Sequence, residues 1–251
     1  MPRHRRQIGC LLLLIGLLLP ARLWAAPPYN TDQAEVIGYG RTEIDAFMVY
    51  GRSAGYSSAT APGIEVDYGL LPRTQVRISL PLAYAGPYAQ TSHFGLGDAE
   101  FGVKYQVLDQ DGWWPTVSIG SAFLVPIGST NKGLGQGGPS FAFPIWLQER
   151  FGRWSIYGGG GITVTDYKNG RNFPFAGLTV QRQFTDSLAL NLEVFHAGPG
   201  RVNGLPNTTL AIGSTYDFSA TYHLYVTVGR GVQNAPQTNL GSLYVALAIT
   251  F

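Results

Sequence analysis

The chain has 251 residues, enough for one large domain, with 17 Lys and Arg against 15 Asp and Glu, 33 glycines and a single cysteine. A formal net charge of +2 with only 13% charged residues leaves no basic surface for nucleic-acid backbones, and one cysteine excludes a disulfide framework. Beyond the first 25 residues no segment stays apolar for the roughly 18 residues that a spanning helix needs.

In chain order, the first element is "MPRHRRQIGCLLLLIGLLLPARLWAA". Arg3, Arg5 and Arg6 precede an apolar run from Ile8 to Leu19, and small residues follow at Ala25 and Ala26. This pattern predicts a secretory signal peptide over 1–25 that takes Cys10 with it. Its removal takes four basic residues (Arg3, Arg5, Arg6, Arg22) and no acidic one, leaving 13 basic against 15 acidic. Residues 26–41 are expected to lie in the periplasm or inside the lumen of a barrel formed by the rest of the chain.

From residue 42 to 251 the chain alternates. "GIEVDYG" sets Ile64, Val66 and Tyr68 against Glu65 and Asp67, and "TQVRISLPLAY" sets Val76, Ile78, Leu80 and Leu82 against Gln75, Arg77 and Ser79. In "GDAEFGVKYQVL", Ala99, Phe101, Val103, Tyr105 and Val107 oppose Asp98, Glu100, Lys104 and Gln106. Period two with one apolar and one charged face is the pattern of a strand between lipid and water. Short turns are predicted around Leu70–Pro72, Asp109–Trp113, Gly152–Arg153, Thr185–Ser187 and Ser219–Thr221. They alternate with long loops around Arg52–Pro62, Ala85–Gly95, Pro126–Pro139, Thr165–Asn172, Gly198–Asn207 and Gly231–Asn239.

Eleven connections predict twelve strands, with ten or fourteen as alternatives because Gly158–Gly161 and Asn172–Pro174 blur their strands. The expected fold is all-β: a closed antiparallel transmembrane β-barrel over 42–251, in the outer membrane of a Gram-negative bacterium. Hydrocarbon demands internal pairing of every backbone group, and closure supplies it. Pro144 and Pro174 cannot donate to a ladder and are expected at bulges or at strand ends near the rim. The last strand carries Leu243, Val245, Leu247, Ile249 and Phe251 on one face. That apolar face is expected to meet lipid and, with its terminal ring, to be read by the outer-membrane assembly machinery. The remaining partners expected are membrane lipid, lipopolysaccharide and a small-molecule solute.

With the polar face inward, the candidate pore-lining residues are Asp45, Glu65, Asp67, Arg77, Asp98, Glu100, Lys104, Arg150 and Glu193, with Gln148 and Asn191 beside them. Opposed charges could line a constriction that selects ions, or could pair into a ladder that fills a narrow barrel. "GLGQGG" (133–138) has dinucleotide-binding spacing but precedes a strand, which favours an external loop over a nucleotide site. A barrel lipid hydrolase would need a Ser–His pair on the outer wall. His93, His196 and His223 offer no evident triad and no metal-ligand spacing, so no catalytic residue, metal or cofactor is assigned.

Several stretches carry a resemblance beyond this pattern: "APPYNTD", "GLGDAEFGVKYQVLDQDGWWP", "VPIGSTNKGLGQGGPSFAFPIWL", "FGRWSIYGGGGI", "FAGLTVQRQFTDSLAL" and "GRGVQ". Together they resemble the phenol meta-pathway family of outer-membrane β-barrel proteins, across nearly all of residues 27–251. The resemblance implies passage of small molecules, aromatic or otherwise hydrophobic ones among them. It brings no established set of functional residues.

Overall fold

The computed structural model describes residues 30–87 and 91–251. The expected signal peptide with Cys10, the first residues of the 26–41 segment and part of the loop after residue 87 lie outside the described residues.

Thirteen strand segments follow in order: β1 (Thr42–Ser53), β2 (Tyr56–Leu71), β3 (Thr74–Pro87), β4 (His93–Leu96), β5 (Ala99–Leu108), β6 (Thr116–Val125), β7 (Ser140–Phe151), β8 (Trp154–Thr165), β9 (Phe173–Gln183), β10 (Leu188–Ala197), β11 (Asn207–Asp217), β12 (Tyr222–Gln233) and β13 (Gly241–Thr250). The loop between β12 and β13 holds one helical turn, α1 (Ala235–Thr238). β4 and β5 are two halves of one wall strand, pairing with successive parts of β3. The result is a closed, antiparallel, twelve-stranded barrel.

Closure runs along β1 and β13, from Glu43 opposite Thr250 to Arg52 opposite Gly241. At its end Thr42 and Phe251 exchange backbone hydrogen bonds of 2.8 and 2.9 Å. Among the described residues only the short β4, which pairs with β3 alone, keeps an open side, so the rest of the wall satisfies its own amides without solvent. Short turns such as those between β2 and β3 and between β7 and β8 gather at one end of the barrel, here the turn end; the other, the loop end, carries the longer connections together with the two-residue hairpin between β1 and β2.

Side-chain polarity is inverted relative to a water-soluble barrel. Ile64, Leu80, Phe101, Ile145, Leu192, Ile212 and Leu247 are exposed on the outer face, whereas Gln148, Asn191, Thr179, Ser118 and Ser155 are fully buried inside. Contiguous apolar surface of this extent is stable only against hydrocarbon. Trp154, Phe184, Tyr216 and Phe218 ring the turn end, and the Arg182 guanidinium lies 5.0 Å from the Trp154 ring and 4.9 Å from that of Phe184. Aromatic and basic side chains at that level suit a membrane–water boundary.

Two expectations need correcting. Arg52–Pro62 is not a long loop: β1 and β2 continue as a hairpin with only Ala54 and Gly55 between them, and Pro62 sits at a bulge where the register shifts. Its Ser, Thr and Ala lack the apolar alternation used to find strands, so continued ladder pairing is invisible in the sequence. Pro144 is neither at a bulge nor at a strand end. It lies in mid-β7 opposite Gly161, and the β6–β7 ladder is interrupted at Gly120 and Ser121 instead. Pro174 is the second residue of β9, near the rim.

The seam makes a test. Leu247 is exposed on the outer face of β13, between Ala46 of β1 and Leu224 of β12. Leu247→Asp places charge against lipid at a depth-dependent cost of up to a few kcal/mol. It should abolish the heat-modifiable gel mobility of the folded barrel. Tyr244→Ala, on the inner face, should retain it.

Candidate functional site in the lumen

The inner wall is built by residues of one parity on each strand. On β3, β5 and β7 that parity repeats a pair: Gln75 with Arg77, Lys104 with Gln106, and Gln148 with Arg150. Residues 30–38 run through the lumen against these pairs as a strap. The amides of Ala34 and Glu35 donate to Gln148 Oε1 (3.1 and 3.3 Å), that of Val36 to Gln106 Oε1 (3.2 Å) and that of Ile37 to Gln75 Oε1 (2.9 Å). The Thr31 amide donates to Glu193 Oε1 at 2.7 Å. A strap without strand partners must find acceptors for its amides, and amide side chains supply them.

The cations of the same pairs take the strap's carboxylates. Lys104 Nζ donates to Asp32 Oδ2 at 3.0 Å and to the Gln33 carbonyl at 3.1 Å, and Arg150 pairs with Glu35. Close approach is permitted by missing side chains. A Cβ on Gly177 would collide with Thr31 Oγ1, and one on Gly69 would collide with the Gly38 carbonyl oxygen.

The nine residues expected to line a pore fall into three groups. Asp67 accepts a bidentate bond from Arg77 (2.9 and 2.9 Å) and one from Gln75 (2.7 Å), while Glu65 lies 3.2 Å from Arg77 Nε. Asp45 stands opposite Glu65 in register, 5% exposed, with Oδ1 buried and without a partner. Lys104, Arg150 and Glu193 hold the strap, and Glu100 faces a cavity beside it. Asp98 is apart from the rest. It accepts the amides of Gly128 (2.9 Å) and Gln136 (2.7 Å), pinning the 126–139 loop at the loop end. That loop, which contains "GLGQGG", buries Leu134 and brings Gly133 toward Ala85.

Sequence reasoning missed the strap's acceptors and an aromatic arc. Trp146, Phe175 and Phe195 follow one another on β7, β9 and β10 with ring centroids 6.2 Å apart at each step. All three share the inward parity of Gln148, Thr179 and Glu193, which is the signal that could have found them. The wall charges therefore concentrate on β1–β5, and the aromatic arc on β7–β10 stands among Arg150 and Glu193. At the loop end a recess of about 470 Å³ opens between the β1–β2 hairpin, Gly133 and Asn239.

Of the histidines, His196 Nδ1 bonds Thr208 Oγ1 (2.8 Å) and His223 Nδ1 bonds Asp217 Oδ1 (2.7 Å). Among the described residues no three His, Cys, Asp or Glu converge as a metal site would require.

The two strap carboxylates respond oppositely to the lumen. Burial would raise the Asp32 carboxyl, but Lys104 and Arg77 outweigh it and hold the group below its usual value. Burial raises Glu35 above its usual value, and Arg150 offsets this only in part. Asp32 thus stabilises the strap throughout the range above its ordinary value and loses that effect only as the pH falls through its lowered one. Glu35 takes its proton first on acidification, and its pair with Arg150 weakens before Asp32 responds.

The fold and inverted polarity define the class as outer-membrane-type β-barrels. The family described as "Putative MetA-pathway of phenol degradation" matches residues 27–249, and the chain belongs to it. No curated protein matches the sequence. Among solved structures, an outer membrane channel from Pseudomonas putida F1 is similar at 14% identity, covering 87% of this chain and 98% of that one, with a TM-score of 0.70. KdgM porin (10% identity, 83% and 99% covered, TM-score 0.57) and NanC porin (12%, 83% and 98%, TM-score 0.55) share the architecture. At these identities the likeness is one of fold.

Asp32→Asn should weaken the strap by about 1.5–3 kcal/mol, the worth of a hydrogen bond to a charged group. Native-state hydrogen exchange at the Thr31 and Ala34 amides should speed up about tenfold or more. Glu35→Gln, which removes a carboxylate already disfavoured by burial, should change it far less.

Proposed function

We propose that the protein is an outer-membrane channel for small molecules, with its turn end in the periplasm and its loop end at the cell surface, and that residues 30–38 close the lumen at rest. One observation carries the reading. The lumen is filled by a strap held through side-chain hydrogen bonds and ion pairs, with no strand pairing or apolar core to fix it. Hydrogen bonds of this kind contribute on the order of 1 kcal/mol each, so the five amide contacts together amount to a few kcal/mol. A solute or a potential can shift an equilibrium of that size. A barrel meant only to be solid would fill its lumen with its own wall side chains.

Wall charge sets the ion preference. Glu43, Asp45, Glu65, Asp67, Glu100 and Glu193 face Arg77, Lys104 and Arg150, an acidic excess that favours cations. The aromatic arc beside these charges gives an amphipathic path, suited to small aromatic molecules that present both a ring and a polar group to the wall. The family's description, with its mention of phenol degradation, is consistent with such solutes.

Planar-bilayer recordings test the proposal. The protein should open intermittently with cation preference, read from the reversal potential across a salt gradient. Glu65→Gln with Asp67→Asn should reduce that preference, and the difference should shrink as the Debye length falls from about 10 Å at 0.1 M to about 3 Å at 1 M salt. Absence of any conductance from a folded, heat-modifiable barrel would support a purely structural role instead.

A further inference from the structure

On the outer wall at the loop end, an open groove of about 480 Å³ crosses the seam from β1 over β13 to β12. Arg52 of β1 stands opposite Gly241 of β13, and Arg230 of β12 follows Gly229, which pairs with Ser242. Gly241 is therefore flanked by an arginine on each neighbouring strand, and both arginines are exposed. Strand spacing puts the two arginine backbones about 10 Å apart, a gap that two such long side chains can span together. None of the described residues lining the groove is acidic.

Nothing in the wall requires glycine at position 241. Its backbone is outside the left-handed region, and a Cβ built on it would meet nothing within 4 Å. A side chain there would stand between the two arginines. Its absence leaves a saddle open to whatever surrounds the barrel.

The height of the saddle follows from the strand. β1 runs ten residues from Thr42, beside Phe251, to Arg52. At about 3.3 Å per residue and a tilt of about 40°, that is a rise of roughly 25 Å, the height of the apolar band of such barrels. Just below the saddle Tyr50 pairs with Leu243, and Leu243 with the exposed Val228. The two arginines thus stand where hydrocarbon gives way to headgroups.

We infer that this saddle holds a phosphate group of outer-leaflet lipopolysaccharide, whose acyl chains lie on Leu243, Val228 and Tyr50 below. A guanidinium presents paired N–H donors that match phosphate oxygens, and here two of them flank one open position. A phosphomonoester carries nearly two negative charges at neutral pH, which two guanidiniums match. The described loops above carry Lys132, Lys168, Arg171 and Arg201 against Asp98 and Asp166, a positive field facing the same headgroups. The inference goes beyond the proposed channel and takes from it only the orientation, with the loop end at the cell surface.

Native mass spectrometry of the detergent-solubilised full barrel measures the binding, with diphosphoryl lipid A, phosphatidylglycerol and inorganic phosphate as probes. Lipid A should be retained, and should bind about tenfold or more tightly than phosphatidylglycerol, the difference of at least one charge-assisted hydrogen bond. Excess inorganic phosphate should not displace it. Arg52→Gln with Arg230→Gln should weaken lipid A binding by a similar factor. Gly241→Glu, which keeps both arginines and sets a carboxylate between them, should do the same, whereas Arg182→Gln at the turn end should leave binding unchanged. Heat-modifiable mobility establishes that each variant is folded. Undiminished lipid A binding in either loop-end variant, equal retention of phosphatidylglycerol, or displacement by inorganic phosphate would each overturn the inference. Labelling of Lys132→Cys by a membrane-impermeant maleimide on intact cells reads the orientation separately. No labelling would overturn the orientation and the inference with it, and labelling without lipid A binding would overturn the inference alone.

Discussion

Everything in this molecule depends on the seam between β1 and β13. A sheet in hydrocarbon cannot leave a row of amides unpaired, because each unsatisfied group costs several kcal/mol. The pairing from Glu43–Thr250 to Arg52–Gly241 removes that edge and makes the wall self-sufficient. Closure then creates two solvents on opposite sides of one layer. Period-two side chains divide between them: Ile64 and Leu247 turn outward, and Asp67, Lys104 and Gln148 turn inward. Stability is drawn from the ladder and from lipid, with no need of disulfides.

A polar lumen in so narrow a barrel has to satisfy its own charges. The wall does part of this itself, through Arg77 with Asp67 and Glu65. The strap does much of the rest. Its carboxylates meet Lys104 and Arg150, and its amides meet Gln75, Gln106 and Gln148, so that plug and wall complete each other. The same contacts that fill the lumen are weak one by one, as the proposed opening of the strap requires. The loop pinned by Asp98 adds cover at the other end.

The wall was legible in the sequence because lipid and water impose alternation directly on the residues. "AEFGVKYQVL" could scarcely be read otherwise, and the apolar face of the last strand pointed to closure. Strand continuation beyond the apolar band was not legible: Ser57, Ser58 and Thr60 pair in a ladder without alternating in polarity. Pro144 misled because loss of one donor was expected to end or bulge a strand, whereas β7 absorbs it by interrupting the ladder on its β6 side. The acidic and basic lumen residues were found by parity, but their division of labour was not. Gln75, Gln106 and Gln148 look like any water-facing residues until a strap is laid across them, and "TDQAEVIG" has no periodicity because it pairs with side chains rather than with a strand.

The strap can be tested as the closing element by tethering it. Thr31→Cys removes the Oγ1 that a Cβ on Gly177 would strike; the two Cβ atoms would then lie 3.2 Å apart, a few tenths of an ångström inside the disulfide range, so the strap and the Phe195 ring must give slightly, and the region from residue 26 onward contains no cysteine of its own. Thr31→Cys with Gly177→Cys should form a disulfide that fixes the strap against β9. Single-channel recording before and after reduction then reads the gate directly. A strap that closes the lumen predicts a closed or rarely open channel when oxidised and frequent openings once reductant is added. Equal conductance in the two states would contradict it.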